Sequence, residues 1–187
     1  MKFTYYFILS TLLSLVITSC SKDAETTPPP APEVPTIGKT YTPAGGIVFY
    51  LDGSGQHGLV AAPGDEPYAA PWGCEYTWTN ASGTAQGTGL QNSDSIVGAC
   101  STSGIAARLC KGETVSGKSD WYMPSKDELN MMRNTLYLNG IGYFQEGFYW
   151  SSTEGDSLNG WFQVFKNGYQ DKYPKRFQFF VRAIRNF

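Results

Sequence analysis

In the pattern of hydrophobic and polar positions, two apolar runs separated by a short polar segment predict a β-hairpin. Residues 45–51 read GGIVFYL and residues 57–63 read HGLVAAP, and the DGSGQ between them supplies the glycines of a turn. Residues 64–90 then lose any period and are rich in Gly, Pro, Ala, Thr and Trp. We expect a long irregular segment there, with one short strand around Tyr76–Thr79.

Helical spacing follows this irregular segment. Asn92 or Ser93 can cap a first short helix, because these side chains accept hydrogen bonds from free backbone N–H groups. A second short helix is expected within residues 101–112. Its apolar face contains Ile105, Ala106, Leu109 and Cys110. We expect Cys110 to be a buried, inert thiol.

The clearest helix begins at Ser125. Glu128 stands three residues after Ser125, which is the spacing of a capping box. Leu129, Met132 and Leu136 then repeat at helical spacing, and the Asn-Gly pair at 139–140 ends the helix.

The C-terminal part returns to short aromatic and β-branched runs, which predict antiparallel strands. They read FYWSST, GWFQVFKNG and FQFFVRAIRNF. The order of hairpin, irregular segment, helices and strands indicates an α+β fold. Aromatic residues lie on both alternating faces of these runs, which is typical of strands covered on both sides. We therefore expect most of them in the core, with Trp121, Trp150 and Trp161 largely buried.

The N-terminus has the pattern of an exported, lipid-anchored protein. Lys2 precedes an uncharged run from Phe3 to Ser19, typical of a signal peptide. Residues 17–20, Ile-Thr-Ser-Cys, resemble a bacterial lipobox, which predicts a signal peptide over 1–19 and a lipid on Cys20. Proline-rich residues 20–37 are expected to be a spacer, and residues 38–187 a single domain.

The expected location follows from the same segment. We expect the lipid on Cys20 to anchor the protein to a membrane. Ser-Lys-Asp at 21–23 resembles a surface-export signal. We expect a bacterial outer-membrane protein exposed at the cell surface, the alternative being the periplasmic face.

Export permits disulfides. Three cysteines follow Cys20, and Cys74–Cys100 and Cys100–Cys110 are both compatible pairs.

Charge is uneven along the chain and yields one candidate ligand site. Residues 160–187 contain six basic side chains and one acid, Asp171. Such a segment can attract an acidic ligand, although charges scattered over outward strand faces give the same count. The candidates are Lys166, Lys172, Lys175 and Arg176. Arg182 and Arg185 are expected to form internal ion pairs instead. Stacking on Trp72 and Trp78 is the alternative binding mode.

The candidate chemistry disfavours an enzyme. His57 is the single histidine, and a partly exposed polar role suits it better than catalysis. No zinc-ligand cluster or phosphate-binding loop occurs, so no catalytic residue, metal, cofactor or nucleic-acid partner is expected. Glu154, Asp156 and Asn159 lie close together, but they are also typical of a polar turn.

Several motifs, taken in order, resemble a known bacterial domain family. They are GGIVFYLD, GTGLQNSDSIV, GIAARLC, DWYMPSKDELN, FYWSSTE, GWFQVFKNG and VRAIR. The family is named after the C-terminal domain of a Legionella collagen-like adhesin, and the Fibrobacter-type major paralogous domain is similar. The resemblance implies a C-type-lectin-like α+β fold and a surface or adhesive role. The calcium-binding tripeptides of true C-type lectins do not occur here.

Two functions are therefore expected from the sequence. The first is a lipid-anchored cell-surface binding module for glycans or matrix-type ligands. The alternative is an accessory or structural envelope lipoprotein that contacts another bacterial protein. Fold does not decide between them, because function depends on the site.

Overall fold

The predicted hairpin is the centre of a four-stranded antiparallel sheet. We describe a computed structural model, which covers Met1 and residues 31–187. Strands β2 (Gly46–Leu51) and β3 (Gly58–Ala61) pair as expected, and β1 (Thr40–Tyr41) and β9 (Ile184–Asn186) complete the order β1-β2-β3-β9. The Asp52 carboxylate closes the turn by accepting hydrogen bonds from the backbone N–H groups of residues 54 and 55.

This sheet lies between two apolar cores, because β2 and β3 alternate buried side chains between its faces. Val48 and Val60 join the core that contains Trp121 and Trp150. Phe49 and neighbouring side chains point to a second core, packed against the third helix. A sheet covered on both faces explains why both strands read as nearly continuous apolar runs.

The segment 64–90 is irregular, as predicted, but its short strand lies elsewhere. Strand β4 (Ala70–Pro71) pairs with β8 (Gln178–Phe179). The strand expected around Tyr76–Thr79 does not form. The N–H groups of Thr79 and Asn80 instead donate to the carboxylate of Glu154, so a side chain replaces the partner strand.

Three α-helices follow, and the first begins earlier than predicted. Helix α1 is Gly89–Ala99, α2 is Ala106–Gly112 and α3 is Lys126–Thr135. Asn92 and Ser93 are therefore inside α1 rather than at its N-cap. Both are buried and bond to other elements: the Asn92 amide donates to the carbonyl of Gly83, and the Ser93 hydroxyl accepts from the N–H of Met123.

The capping box of α3 is confirmed. The Ser125 hydroxyl accepts a hydrogen bond from the N–H of Glu128, and the Glu128 carboxylate accepts one from the N–H of Ser125. The α-helix ends at Thr135, and a 3-10 turn over Tyr137–Asn139 continues to Gly140, whose φ of 69° is left-handed. Glycine suits that conformation because it has no Cβ.

A three-stranded antiparallel sheet forms the C-terminal part. It consists of β5 (Phe148–Glu154), β6 (Asn159–Val164) and β7 (Gln170–Pro174). None of the predicted strands covers residues 170–174, but β7 pairs with β6 over five positions there. Its polar sequence, QDKYP, is that of an edge strand, which carries few apolar residues. The whole is the predicted α+β arrangement.

Burial of the tryptophans follows this layout, with one correction. Trp121 and Trp150 are fully buried, but Trp161 is only half-buried, because it lies on β6 beneath lysine side chains rather than in a core. Residues 32–187 form one compact unit. The proposed signal peptide, Cys20 and most of the spacer lie outside the described residues. Among the helices that the structure describes, none has the length and hydropathy of a membrane span.

Candidate functional site

The two faces of the β5–β6–β7 sheet are covered differently. One face packs against α3 through polar contacts. The Gln163 amide donates to the side-chain oxygen of Asn130 at 2.7 Å, and the Gln170 amide donates to the carbonyl of Lys126 at 3.2 Å. The Lys126 ammonium lies 4.2 Å from the centre of the Trp161 ring. Helix α3 thus covers this face and leaves Trp161 half-buried beneath Lys126.

The inner half of the opposite face is covered by the β4–β8 ribbon. Trp72 lies directly over Gly160, where an added Cβ would come within 2.5 Å of the indole ring, so glycine allows this approach. The Trp72 indole N–H donates to the carbonyl of Ser151, and that of Trp150 donates to the carbonyl of Ala70. Trp72 is fully buried, which contradicts its predicted role in ligand stacking.

The outer half of this face carries exposed aromatic rings, which we call the aromatic face. Its members are Phe148, Tyr169, Tyr173 and Phe177, which are exposed to 46%, 54%, 40% and 39%. The first three surround buried Phe162, with ring centroids 5.5, 6.4 and 6.0 Å from it. Phe177 extends the group, since its centroid is 4.7 Å from that of Tyr173. These rings are contiguous and open to solvent.

A cleft of about 240 Å³ adjoins the aromatic face. We call it the Phe148 cleft. It is lined by Ala69, Glu146, Phe148, Gln178, Phe179 and Phe180. The rings of Phe148 and Phe179 stack with centroids 5.1 Å apart and form its apolar wall. Glu146 supplies a carboxylate and Gln178 an amide, so apolar and hydrogen-bonding groups converge in one small concavity.

A second exposed aromatic feature is the loop of residues 74–80. Tyr76 and Trp78 protrude from it, and Trp78 is 63% exposed, as its candidate role requires. Tyr76 has a φ of 62°, a left-handed backbone conformation that residues other than glycine seldom adopt. The loop begins at a disulfide between Cys74 and Cys100 and ends where the Glu154 carboxylate binds two backbone N–H groups. A disulfide thus holds one end of the loop, and hydrogen bonds to a carboxylate hold the other.

Lys175 supports this loop from below and does not face solvent, so its predicted role as a ligand-binding residue is wrong. The side chain has no exposed surface. Its ammonium lies 2.7 Å from the carboxylate of Glu154, donates to the carbonyl of Thr77 and sits 4.7 Å from the Trp72 ring centre. A buried charge requires such partners, because desolvation is costly.

The remaining basic residues do not form a positive patch. Lys166 is paired with Glu146 at 3.6 Å, and Arg176 with Glu75 at 2.8 Å; both lysine and arginine are exposed. Hydrogen bonds lower the pKa values of Asp156 and Asp171, chiefly those from Asn159 and Tyr169 respectively. The exposed ammonium of Lys172 lowers both slightly further. Each predicted cation therefore has acidic neighbours.

The two other arginines behave as expected. Arg182 is buried and pairs with Asp65 at 2.7 Å, and Arg185 pairs with Asp120 at 2.6 Å. Asp156 makes an ordinary polar turn, since its carboxylate accepts hydrogen bonds from the backbone of Leu158 and from Asn159. Those bonds lower the pKa of Asp156.

The cysteines resolve the open pairing. Cys74–Cys100 forms the bridge, and Cys110 is free and buried. Burial raises the pKa of the Cys110 thiol, and the nearby carboxylates of Glu66 and Glu113 raise it further. A neutral, inaccessible thiol is a poor nucleophile. The inert role predicted for Cys110 agrees with this environment.

Glu66 and Glu113 form an unusual carboxyl pair beside that thiol. Burial raises both pKa values, that of Glu113 to about 7, and the neighbouring Glu66 carboxyl contributes further to the shift of Glu113. One oxygen of each carboxyl is buried without a hydrogen-bond partner. Two neighbouring carboxyls disfavour ionising together, which adds to the effect of burial on the pKa of Glu113.

Within residues 31–187, no three His, Cys, Asp or Glu side chains are grouped as metal ligands. His57 is exposed at the rim of a cleft of about 270 Å³, and its Nδ1 lies 3.3 Å from the carbonyl of Phe187. The Asp52 carboxylate in the same cleft accepts a hydrogen bond from the Ser54 hydroxyl.

Sequence reasoning missed the aromatic face because it missed β7. Tyr169, Asp171 and Tyr173 alternate along the chain, and this period of two would have assigned them to one face of a strand. No family model matches the chain, and no curated protein matches it.

Proposed function

We propose that this protein is a surface-displayed binding module that recognises glycans through its aromatic face. The observation that carries the proposal is the contiguous set of Phe148, Tyr169, Tyr173 and Phe177 on the uncovered half of a sheet. Contiguous apolar surface on a single domain marks an interaction site. The resemblance of the motifs to an adhesin domain family agrees with this role.

Aromatic side chains suit the chemistry of sugars. A pyranose ring presents C–H groups on its faces and hydroxyl groups around its edge. An aromatic ring can cover the C–H face, and tyrosine adds a hydroxyl for hydrogen bonding. The Tyr169 hydroxyl already donates to the Asp171 carboxylate at 2.6 Å, which leaves carboxylate lone pairs directed at the same surface.

The charges favour a neutral glycan over a polyanion. Of the four basic candidates, Lys175 is buried, and Lys166 and Arg176 have carboxylate partners. Asp171 also lies on the strand that carries Tyr173. Lys172, the fourth candidate, lies on the other face, with its ammonium 6.0 Å from the centre of the Trp161 ring. A sulfated chain on the aromatic face would therefore meet the Asp171 carboxylate, and like charges repel.

The test compares neutral and sulfated glycans on one protein. Full-length protein in a detergent without a sugar headgroup is titrated with cellohexaose, mannohexaose, maltohexaose and chitohexaose, and with heparin. We expect binding of at least one neutral hexaose that is unchanged between about 0.05 and 0.5 M salt, since screening acts on charges. Binding of heparin alone, weakening with salt, would contradict the proposal.

We further propose that the module is held at the outer membrane by a lipid on Cys20, with the domain at the cell surface. The lipobox-like residues 17–20 and the proline-rich spacer support this. Cys20→Ser should abolish incorporation of labelled palmitate and release the protein from the membrane fraction or leave its signal uncleaved. Palmitate labelling of Cys20→Ser would refute the lipid site, and protease protection in intact cells would place the domain on the periplasmic face.

The alternative is an accessory lipoprotein that contacts another envelope protein. The exposed tips of the 74–80 loop, Tyr76 and Trp78, favour it, because a fixed, protruding aromatic pair resembles an interface anchor. Cross-linking in intact cells separates the two functions. A discrete cross-linked protein that disappears in Trp78→Ser, together with no glycan binding, would favour the accessory role.

A further inference from the structure

The Phe148 cleft differs from the aromatic face in having hydrogen-bonding groups of its own. Its apolar wall is the stacked pair Phe148 and Phe179. Glu146 and Gln178 lie at the rim, and the Gln178 side chain makes no hydrogen bond among the described residues. A small cavity with an apolar wall and a few converging polar groups is the usual form of a ligand site.

The cleft is preserved by a close backbone approach. An added Cβ at Gly147 would come within 2.7 Å of the Phe180 ring, so only glycine lets that ring lie against the chain. The backbone groups around it are used: the N–H of Phe180 donates to the carbonyl of Phe148, and the N–H of Phe165 to that of Gly147. The recognition groups of the cleft are therefore its side chains.

The polar rim has a carboxylate and an ammonium close together. Glu146 lies 3.6 Å from the ammonium of Lys166, and both side chains are largely exposed. With the Gln178 amide, the rim offers acceptors and donors and carries no net charge. Hydroxyl groups both donate and accept, so they can bond to all three side chains.

We propose that the Phe148 cleft is a subsite for one uncharged hexose unit of a longer glycan. The inference rests on the proposed function and assigns part of it to named residues. The sugar's C–H face lies against Phe148, and its hydroxyls bond to Glu146, Gln178 and Lys166. The volume of about 240 Å³ fits one such ring, being below the roughly 300–1,000 Å³ typical of pockets for drug-sized ligands. The rest of the chain continues over Tyr169 and Tyr173.

The experiment uses the full-length protein and the same four neutral hexaoses, with variants at exposed positions. Glu146→Ala and Gln178→Ala remove the rim groups, and Tyr173→Ala reports on the aromatic face. Gln56→Ala is the matched control, because Gln56 is an exposed glutamine in the β2–β3 turn. Thermal unfolding checks that each variant folds.

We expect each rim variant to weaken binding by about 5- to 10-fold, as for the loss of one or two hydrogen bonds. Gln56→Ala should leave affinity unchanged. In the wild type, the side-chain amide NMR signals of Gln178 should shift when the hexaose is added.

The other outcomes separate the two proposals. If Tyr173→Ala weakens binding while both rim variants and the Gln178 signals do not change, the cleft is not a subsite, and the aromatic face stands alone. If none of the hexaoses binds the wild type, the proposed function and this inference are both wrong.

Discussion

Both faces of the β5–β6–β7 sheet carry aromatic residues, and other elements cover the two faces to different extents. On one face, α3 covers Trp161 and Gln163 through hydrogen bonds and a lysine–indole contact. On the other, the β4–β8 ribbon covers Trp150 and then ends, and Tyr169 and Tyr173 remain exposed. Aromatic residues therefore do not identify a core by themselves. Their burial depends on whether another helix or strand packs over them.

A difference of a few residues separates core from surface on the second face. Trp72 reaches Gly160, and Phe179 lies 4.3 Å from Trp150, centroid to centroid. Phe162 is the boundary, since it is buried by its neighbours and bordered by the exposed rings. The predictions below test whether the covered half is structural and the uncovered half is available for binding.

The largest effect is expected from the covered half. Trp150→Ala should lower the free energy of unfolding by about 3–5 kcal/mol, since it opens a large cavity. It also leaves the Ala70 carbonyl without its indole donor. Urea unfolding measures the change. The matched control is Tyr169→Ala on the uncovered half, which should cost less than about 1 kcal/mol. Equal losses in the free energy of unfolding for both variants would contradict the structural difference between the covered and uncovered halves.

The second-largest loss of stability is expected when the buried ion pair beneath the 74–80 loop is broken. Glu154→Leu leaves the Lys175 ammonium without its counterion and frees the N–H groups of Thr79 and Asn80. We expect a loss of at least about 3 kcal/mol. In the double variant with Lys175→Met, part of this loss should be recovered, because the isolated charge is gone. A double variant less stable than Glu154→Leu would contradict this account of the pair.

The carboxyl pair predicts a pH dependence of smaller size. The pKa of Glu113 is raised in the folded protein from 4.5 to about 7, so the folded state holds its proton more tightly than the unfolded state. Its contribution is therefore present below pH 4.5 and is lost as the pH rises toward 7. After allowing for solvent screening we expect about 1–2 kcal/mol.

Other titratable groups face this carboxyl pair, so the pH measurement needs a control variant. Glu66, Arg182 and the neutral Cys110 thiol face Glu113, and Asp65 faces Glu66. Melting temperatures at pH 5 and pH 8 measure the effect, and Glu113→Gln should reduce the difference between them. A difference as large in Glu113→Gln as in the wild type would assign the pH dependence to other groups.

The smallest effect is expected at the start of α3, the helix that closes the covered face. Ser125→Ala should cost about 1 kcal/mol, because the N–H of Glu128 loses its capping partner. Ser101→Ala is the control, since Ser101 is exposed. Chemical unfolding of both variants measures the cost. Equal stabilities would mean that the capping hydroxyl contributes nothing at this site.

Local signals predicted much of the fold, and their limits are physical. The hairpin and α3 were predictable because turn glycines and a capping box act within a few residues. Strand β7 was not, because an edge strand lacks an apolar pattern. The burial of Lys175 was hidden too: its partners Thr77 and Glu154 are distant in sequence, and a lysine in isolation predicts exposure.

The most direct test of the account is a map of the aromatic rings by NMR as the best-binding neutral hexaose is added. The account predicts that ring signals of Phe148, Tyr169 and Tyr173 shift, while those of Trp150 and Trp161 do not. Shifts confined to Tyr76 and Trp78 would move the site to the 74–80 loop. Shifts at Trp161, on the face covered by α3, would contradict the division between the two faces.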